Sequence, residues 1–263
     1  MPHSDLPRVV DAAWLAEHLL DDGLVVGDVR GPNAHMRGHI PGSRPLVLGS
    51  PPPGADESSV AELAKEVALR LRRHGITGEE KLVLVDRGDG VGAMPAAQMA
   101  ELAGHPNVSI LLGGLAAWPG ELAQGAVELE PVREAKLEPD AHAFPTWQEI
   151  SARLADPALT VLDVRREEEY TGRAGSACDP RQGHIPGARR LQVDELFASD
   201  GMPKPGDEIR ALVGDAQEIV AYCHSGSRSA LATLALRSAG YDARNYAGSW
   251  HEWSRHPELP LER

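Results

Sequence analysis

The sequence predicts an α/β protein made of two similar tandem domains, each a parallel sheet flanked by helices. The first observation behind this is an ordered internal repeat. Val25-Val26-Gly27-Asp28-Val29-Arg30 recurs as Thr160-Val161-Leu162-Asp163-Val164-Arg165, and Gly38-His39-Ile40-Pro41-Gly42 as Gly183-His184-Ile185-Pro186-Gly187. Lys81-Leu82-Val83-Leu84-Val85-Asp86 aligns with Glu218-Ile219-Val220-Ala221-Tyr222-Cys223, and Gly113-Gly114-Leu115-Ala116-Ala117-Trp118 with Gly248-Ser249-Trp250-His251-Glu252-Trp253. The offsets are 135, 145, 137 and 135, in unbroken order. A period this long marks duplicated domains, because solenoid repeats are far shorter. The second observation is that strand and helix patterns alternate within each copy. The third is the segment between them, rich in Pro, Glu and Ala and without hydrophobic periodicity.

Taken in order, residues 24–28, 82–86 and 108–112 read as short buried strands, and residues 59–74 as a long helix. Residues 119–145 read as a surface linker. Thr146-Trp147-Gln148-Glu149 is a capping-box pattern opening a helix with Trp147, Ile150 and Leu154 on one face. In the second copy, residues 160–164, 219–222 and 243–246 read as strands. Ala230, Leu231, Leu234, Ala235 and Ala239 have helical spacing, with Gly240 placed to end that helix. The predicted division is residues 1–120, a linker at 121–145, and residues 146–263.

The 263 residues are 42% apolar and 25% charged, as expected for a packed globular chain, and 4% aromatic, so aliphatic residues must fill the core. A formal net charge of -13 argues against nucleic-acid binding, which requires clustered Lys and Arg. No apolar run is long enough to span a membrane, and Met1-Pro2-His3-Ser4-Asp5 lacks a leader pattern, so a cytoplasmic location is expected. Two cysteines, Cys178 and Cys223, are too few for a disulfide scaffold or a Cys-rich zinc site. His35 and His39 have i, i+4 spacing but straddle Gly38 and run into a turn. No metal is expected.

Cys223 ends a predicted strand and opens Cys223-His224-Ser225-Gly226-Ser227-Arg228-Ser229, directly before a predicted helix. A thiol there faces unpaired backbone N–H groups and the positive end of the helix dipole, both of which favour the thiolate. Gly226 permits a tight turn and the small serines allow close approach, so the loop should cradle an anion. Arg228 adds a fixed cation, and His224 another when protonated.

The chain resembles the rhodanese superfamily in its two-domain sulfurtransferase form. The Asp-Val-Arg strands, both Gly-His-Ile-Pro-Gly segments, the Cys223 loop and the Gly248-Ser249-Trp250-His251-Glu252-Trp253 segment carry the resemblance, which spans all but the linker. It implies two rhodanese-like domains of which only the second is catalytic, since Asp86 stands where the first would need its cysteine. The first domain should pack against the second and wall its cleft. The implied mechanism is double displacement: the Cys223 thiolate takes sulfane sulfur from a donor as a persulfide, and a thiophilic acceptor such as cyanide or a thiol removes it. No metal or organic cofactor is implied, and the family suggests a monomer.

Within this reading the donor is thiosulfate by preference, attracted as a dianion by Arg228 and His224, with 3-mercaptopyruvate as the alternative. Neither donor class's usual loop sequence matches Cys223-His224-Ser225-Gly226. A non-catalytic rhodanese module is a second alternative. A rhodanese-fold phosphatase is disfavoured, because Arg228 closes a Cys-x4-Arg loop one residue shorter than the phosphatase Cys-x5-Arg. Asp163 and Arg165 read chiefly as a structural pair, and His39 as a turn residue that also has a possible reach to the donor. Arg173 and Arg181, in the stretch where the second copy is longer, are candidates to hold the donor's anionic group; the family position for such an arginine falls near Glu169. Cys178 reads as a loop thiol or a resolving partner for oxidised Cys223. Trp250 and Trp253 read as core.

Overall fold

A computed structural model describes residues 6–49, 57–88 and 92–263. Residues 1–5, read above for a leader, and Asp89 and Gly90 of the Asp86 loop lie outside these. The chain forms two compact units that divide after Ala141.

The first unit contains β1 (Val9–Val10), α1 (Ala12–His18), β2 (Leu24–Asp28), α2 (Pro32–Arg37), β3 (Arg44–Pro45), α3 (Glu57–Arg73), β4 (Lys81–Val85), α4 (Ala93–Leu102), β5 (Val108–Leu111) and α5 (Gly114–Ala117). Its sheet is wholly parallel in the order β1-β5-β4-β2-β3. The second unit contains α6 (Trp147–Ala152), β6 (Leu159–Asp163), α7 (Glu167–Tyr170), β7 (Arg189–Arg190), α8 (Gly206–Val213), β8 (Glu218–Tyr222), α9 (Ser227–Ser238), β9 (Ala243–Asn245) and α10 (Ser249–Trp253). Its sheet, also parallel, runs β7-β6-β8-β9. The repeat is thereby explained in space: β2, β4 and β5 occupy the places of β6, β8 and β9. The two-residue strands β1, β3 and β7 gave no sequence signal, being too short to show a period. No helix among the described residues is long and apolar enough to cross a membrane.

Both faces of the second sheet are covered, which is why its strands are continuously apolar. Successive side chains of a strand point to opposite faces. Ile219, Ala221 and Cys223 accordingly join a core with Ile209 and Val213 of α8 and Ala232, Ala235 and Leu236 of α9. Val220 and Tyr222 join the opposite core with Ile150, Trp250 and Trp253. The two tryptophans are fully buried, so they act as core.

The segment read as a linker runs along the first unit as far as Ala141. Ala123 bridges His39 through paired backbone hydrogen bonds, Val132 N–H donates to Arg72 O, and Asp140 N–H donates to Leu102 O. At α6 only half of the predicted capping box forms. Thr146 accepts from Glu149 N–H at 3.3 Å, but the Glu149 carboxylate turns away to Arg153 and Arg244, because two guanidinium groups outcompete one backbone amide.

A buried Asp–Arg knot recurs in both units. Arg30 grips Asp28 (Nε to Oδ1 2.9 Å) and donates to Gly38 O at 2.6 Å. Arg165 grips Asp163 at 2.9 and 2.6 Å and donates to Gly183 O at 2.7 Å. Each knot joins a central strand to the Gly-His-Ile-Pro-Gly turn. In the second unit Tyr222 extends it, donating to Asp163 Oδ2 at 2.6 Å and accepting from Ile185 N–H at 3.1 Å. Burial first, then the Asp163 charge, pushes the Tyr222 hydroxyl well above the ordinary tyrosine pKa. Burial pulls down on Arg165, yet the Asp163 carboxylate outweighs it and holds the guanidinium above its usual value. Removing one partner of a fully buried pair strands the other charge. Arg165→Met should therefore destabilise the protein by about 3–5 kcal/mol, measured by chemical denaturation.

Candidate active site

The site is built where β8 ends and α9 begins. Cys223 is 1% exposed. Its Sγ accepts the Gly226 N–H at 3.2 Å and lies 3.4 Å from the Ser229 hydroxyl. That hydroxyl has one proton and a second acceptor, Gly226 O, at 3.2 Å, so it can turn toward the sulfur or away from it. Ser249 holds the Cys223 backbone from α10. Its hydroxyl accepts the Cys223 N–H at 3.1 Å and donates to Tyr246 O at 2.8 Å. Ser249 is also the sole non-glycine with positive φ (54°) among the described residues, and its repeat counterpart Gly114 has φ 51°. The second unit thus holds a strained backbone where the first uses glycine, and what it gains is a hydroxyl on the Cys223 amide. Gly226 is required by its own geometry: φ is +90°, and a Cβ would meet Ala247 O at 2.6 Å.

The first unit shows what this cradle binds. Asp86, at the place of Cys223, is buried, and its carboxylate accepts N–H bonds from Gly88 at 2.8 Å and from Gly92 and Ala93 at 3.2 Å. Its carbonyl accepts from Leu115 N–H, as the Cys223 carbonyl accepts from Trp250 N–H. The strand-to-helix turn therefore holds a carboxyl group in one unit and sulfur in the other.

Arg228 and His224 each lie beside a carboxylate. Arg228 makes a two-pronged pair with Glu169 of α7, both bonds 2.8 Å. That pairing raises the Arg228 pKa, against burial and with further help from the Cys223 sulfur. Burial pushes the Glu169 carboxyl up, but Arg228 prevails and lowers its pKa. His224 Nε2 lies 3.1 Å from Asp179 Oδ2 and 3.9 Å from Cys178 Sγ. Ser225 and Ser227 are exposed.

The remaining sequence-derived candidates fall elsewhere. Arg181 donates to the carbonyls of Ser254, Leu259, Trp253 and His256, so it clamps the end of the chain and its donors are taken up internally. Arg173 is exposed and pairs with Glu167. Asp163 and Arg165 are enclosed in the buried knot. His39 is 2% exposed, stacked on His35 at 3.6 Å with Nδ1 against His35 O, which makes it a packing residue of the first unit. Glu169, Ser249, Asp179 and His251 had no assigned role in the sequence. Only the near-match of Glu169 to an arginine position gave a hint.

The rhodanese-like domain family matches residues 11–121 and 146–256. The chain belongs to the rhodanese family. It carries two rhodanese-like domains, corresponding to the two units. It is 31% identical, over 97% of both chains, to a probable 3-mercaptopyruvate sulfurtransferase of Pseudomonas aeruginosa. It is 28% identical, over 98% of both, to a thiosulfate sulfurtransferase of the same organism. Among solved structures, a probable thiosulfate sulfurtransferase superposes with a TM-score of 0.68 at 32% identity, covering 93% of this chain and 99% of the other.

The second rhodanese domain depends on glycine at the turn. Gly226→Ala should lower stability by about 1–3 kcal/mol, read from denaturation midpoints. The Gly226 amide should leave the sulfur in the same variant, seen as altered Cys223 alkylation kinetics.

Proposed function

We propose that this rhodanese is a sulfurtransferase that carries sulfur on Cys223 as a persulfide. The observation that supports it most is the anion cradle: a buried sulfur at a helix N-terminus, in a turn whose first-domain copy receives a carboxylate with three amides. The thiolate attacks the donor's sulfane sulfur, a new S–S bond forms, and the bond from that sulfur to the rest of the donor breaks with its electron pair. Thiosulfate would leave as sulfite. 3-Mercaptopyruvate would leave as the enolate of pyruvate, which takes up the thiol's proton on carbon. Cyanide or a thiol then attacks the outer sulfur and regenerates the Cys223 thiolate. Asp86 has no sulfur to transfer, so the first domain does no such chemistry in this scheme.

For the donor, the pairing of Arg228 with Glu169 favours 3-mercaptopyruvate. The preference for thiosulfate rested on Arg228 and a partly charged His224, and the Arg228 guanidinium already pairs with Glu169. A dianion gains little from a guanidinium already neutralised, whereas a donor with one carboxylate needs less positive field. Thiosulfate is the second reading, supported by the Arg228 charge itself once Glu169 moves aside.

Mass spectrometry after exposure to each donor tests the chemistry. A gain of one sulfur is expected, lost in Cys223→Ser; no gain with either donor would leave a non-catalytic binding module. Glu169→Gln tests the donor argument. It should raise kcat/KM for thiosulfate relative to 3-mercaptopyruvate by about tenfold, because it frees one charge in a half-buried site. An unchanged ratio would remove Glu169 from donor selection.

A further inference from the structure

Four side chains of metal-ligand type meet beside the nucleophile's loop, from three separate stretches of chain. Cys178 and Asp179 come from the longer turn of the second domain, His224 directly follows Cys223, and His251 lies on α10. Their ligand atoms all lie within 4.8 Å of one another. Cys178 Sγ is 3.9 Å from His224 Nε2 and 3.6 Å from His251 Nδ1. Asp179 places Oδ2 3.1 Å from His224 Nε2 and Oδ1 2.9 Å from His251 Nδ1. In a tetrahedral site with metal–sulfur bonds of about 2.3 Å and metal–nitrogen or –oxygen bonds of about 2.0–2.1 Å, ligand atoms stand about 3.3–3.6 Å apart. The observed separations bracket that spacing.

A second observation points to a cation. The Asp179 side chain is 1% exposed, and its Oδ2 accepts no hydrogen bond, because His224 approaches outside hydrogen-bonding geometry. Native structures rarely bury a carboxylate oxygen without a donor or a metal. The other oxygen, Oδ1, is engaged by His251, by the Cys178 thiol at 3.7 Å and by Arg255 Nη1 at 3.3 Å. Arg255 also donates to the carbonyls of Cys178 and His251, and the Ser176 hydroxyl sits 2.9 Å from Cys178 Sγ. These contacts hold the backbones of two ligands in place. The Arg255 charge opposes a cation, but a thiolate and a carboxylate together outweigh it. His224 and His251 are 28% and 33% exposed and Cys178 is exposed, so solvent reaches the cluster.

We propose that Cys178, Asp179, His224 and His251 form a binding site for a zinc-class divalent cation, adjoining the sulfur-carrying loop. One thiolate and two imidazoles select zinc over magnesium or calcium, which take oxygen ligands. On binding, the Cys178 S–H bond breaks, its proton passes to solvent, and a metal–sulfur bond forms. The His224 carbonyl already accepts the His251 N–H at 2.9 Å. A bound cation therefore ties the 176–179 turn, the Cys223 loop and α10 into one unit.

Metal-free full-length protein titrated with Co2+, then with Zn2+ against a chelator, tests this. One equivalent should bind, giving tetrahedral Co2+ visible absorption and a thiolate-to-cobalt charge-transfer band, both displaced by Zn2+. Cys178→Ser should abolish the charge-transfer band and weaken Zn2+ binding by tenfold or more, with an unchanged circular dichroism spectrum. His251→Gln should weaken binding while keeping that band, and Cys223→Ser should leave band and affinity intact. No stoichiometric binding to the unaltered chain would overturn the proposal. So would a band that survives Cys178→Ser and disappears in Cys223→Ser, which would place the metal on the nucleophile. The readout is binding, so it stands or falls apart from sulfur transfer.

Discussion

The second domain is organised around one buried charge pair. Asp163 and Arg165 lie two residues apart at the end of β6, where neither can reach water, and each needs the other to remain charged there. The pair reaches outward through hydrogen bonds. Arg165 fixes the carbonyl of Gly183 and lies 4.9 Å from the ring of Trp250, while Asp163 accepts the Tyr222 hydroxyl. Tyr222 immediately precedes Cys223, so the carboxylate that neutralises Arg165 also sets the strand from which the nucleophile projects. With Tyr222 pointing into one core, alternation along the strand sends Cys223 into the other, toward α9. The first domain keeps the Asp28–Arg30 pair but has Val85 at the place of Tyr222, so its knot is smaller.

The Cys223 sulfur is surrounded by backbone and hydroxyl groups more than by side-chain acids and bases. The turn supplies an N–H from Gly226, and a hydroxyl that can rotate is supplied by Ser229. The strained Ser249 holds the cysteine's own amide. The Asp86 copy is informative because it separates the cradle from the chemistry: the same turn binds a carboxylate tightly and has nothing to transfer. The loop arginine belongs to a different layer. Its guanidinium is tied to Glu169 of α7, so its charge is offset by a carboxylate.

Features with a fixed spacing or a fixed period were legible in the sequence. The duplicated motifs, the continuous apolar strands and the Cys-to-Arg loop all repeat or occur within a few residues, and they located both sheets and the strand-to-helix turn that carries Cys223. The misses are contacts made across sequence distance. Arg181 lies in the stretch where the second copy is longer, but its guanidinium is consumed by four carbonyls some 70 residues on. Arg228 read as a bare cation because its partner Glu169 is 59 residues away. Short edge strands escaped for a different reason. Two residues carry no periodicity, and only their neighbours in the sheet make them strands.

The Cys178 cluster follows the same logic. Adjacent Cys178 and Asp179 match no ligand spacing, and His224 and His251 lie 46 and 73 residues beyond Cys178. Each residue alone reads as a loop group, and two cysteines in a chain of 263 argue against a zinc scaffold. What makes them a unit is the fold's own closure. α10 follows β9 and packs behind the Cys223 loop, while the turn where the second copy is longer than the first brings Cys178 and Asp179 to the same place. The first domain lacks that longer turn, so its Asp86 loop has no counterpart to the four ligands. The second domain differs from the first in carrying Cys223 where the first has Asp86 and in the polar cluster beside it. The two differences meet at Cys223 and its neighbour His224, so a ligand held by His224 would bear on the backbone that presents the sulfur.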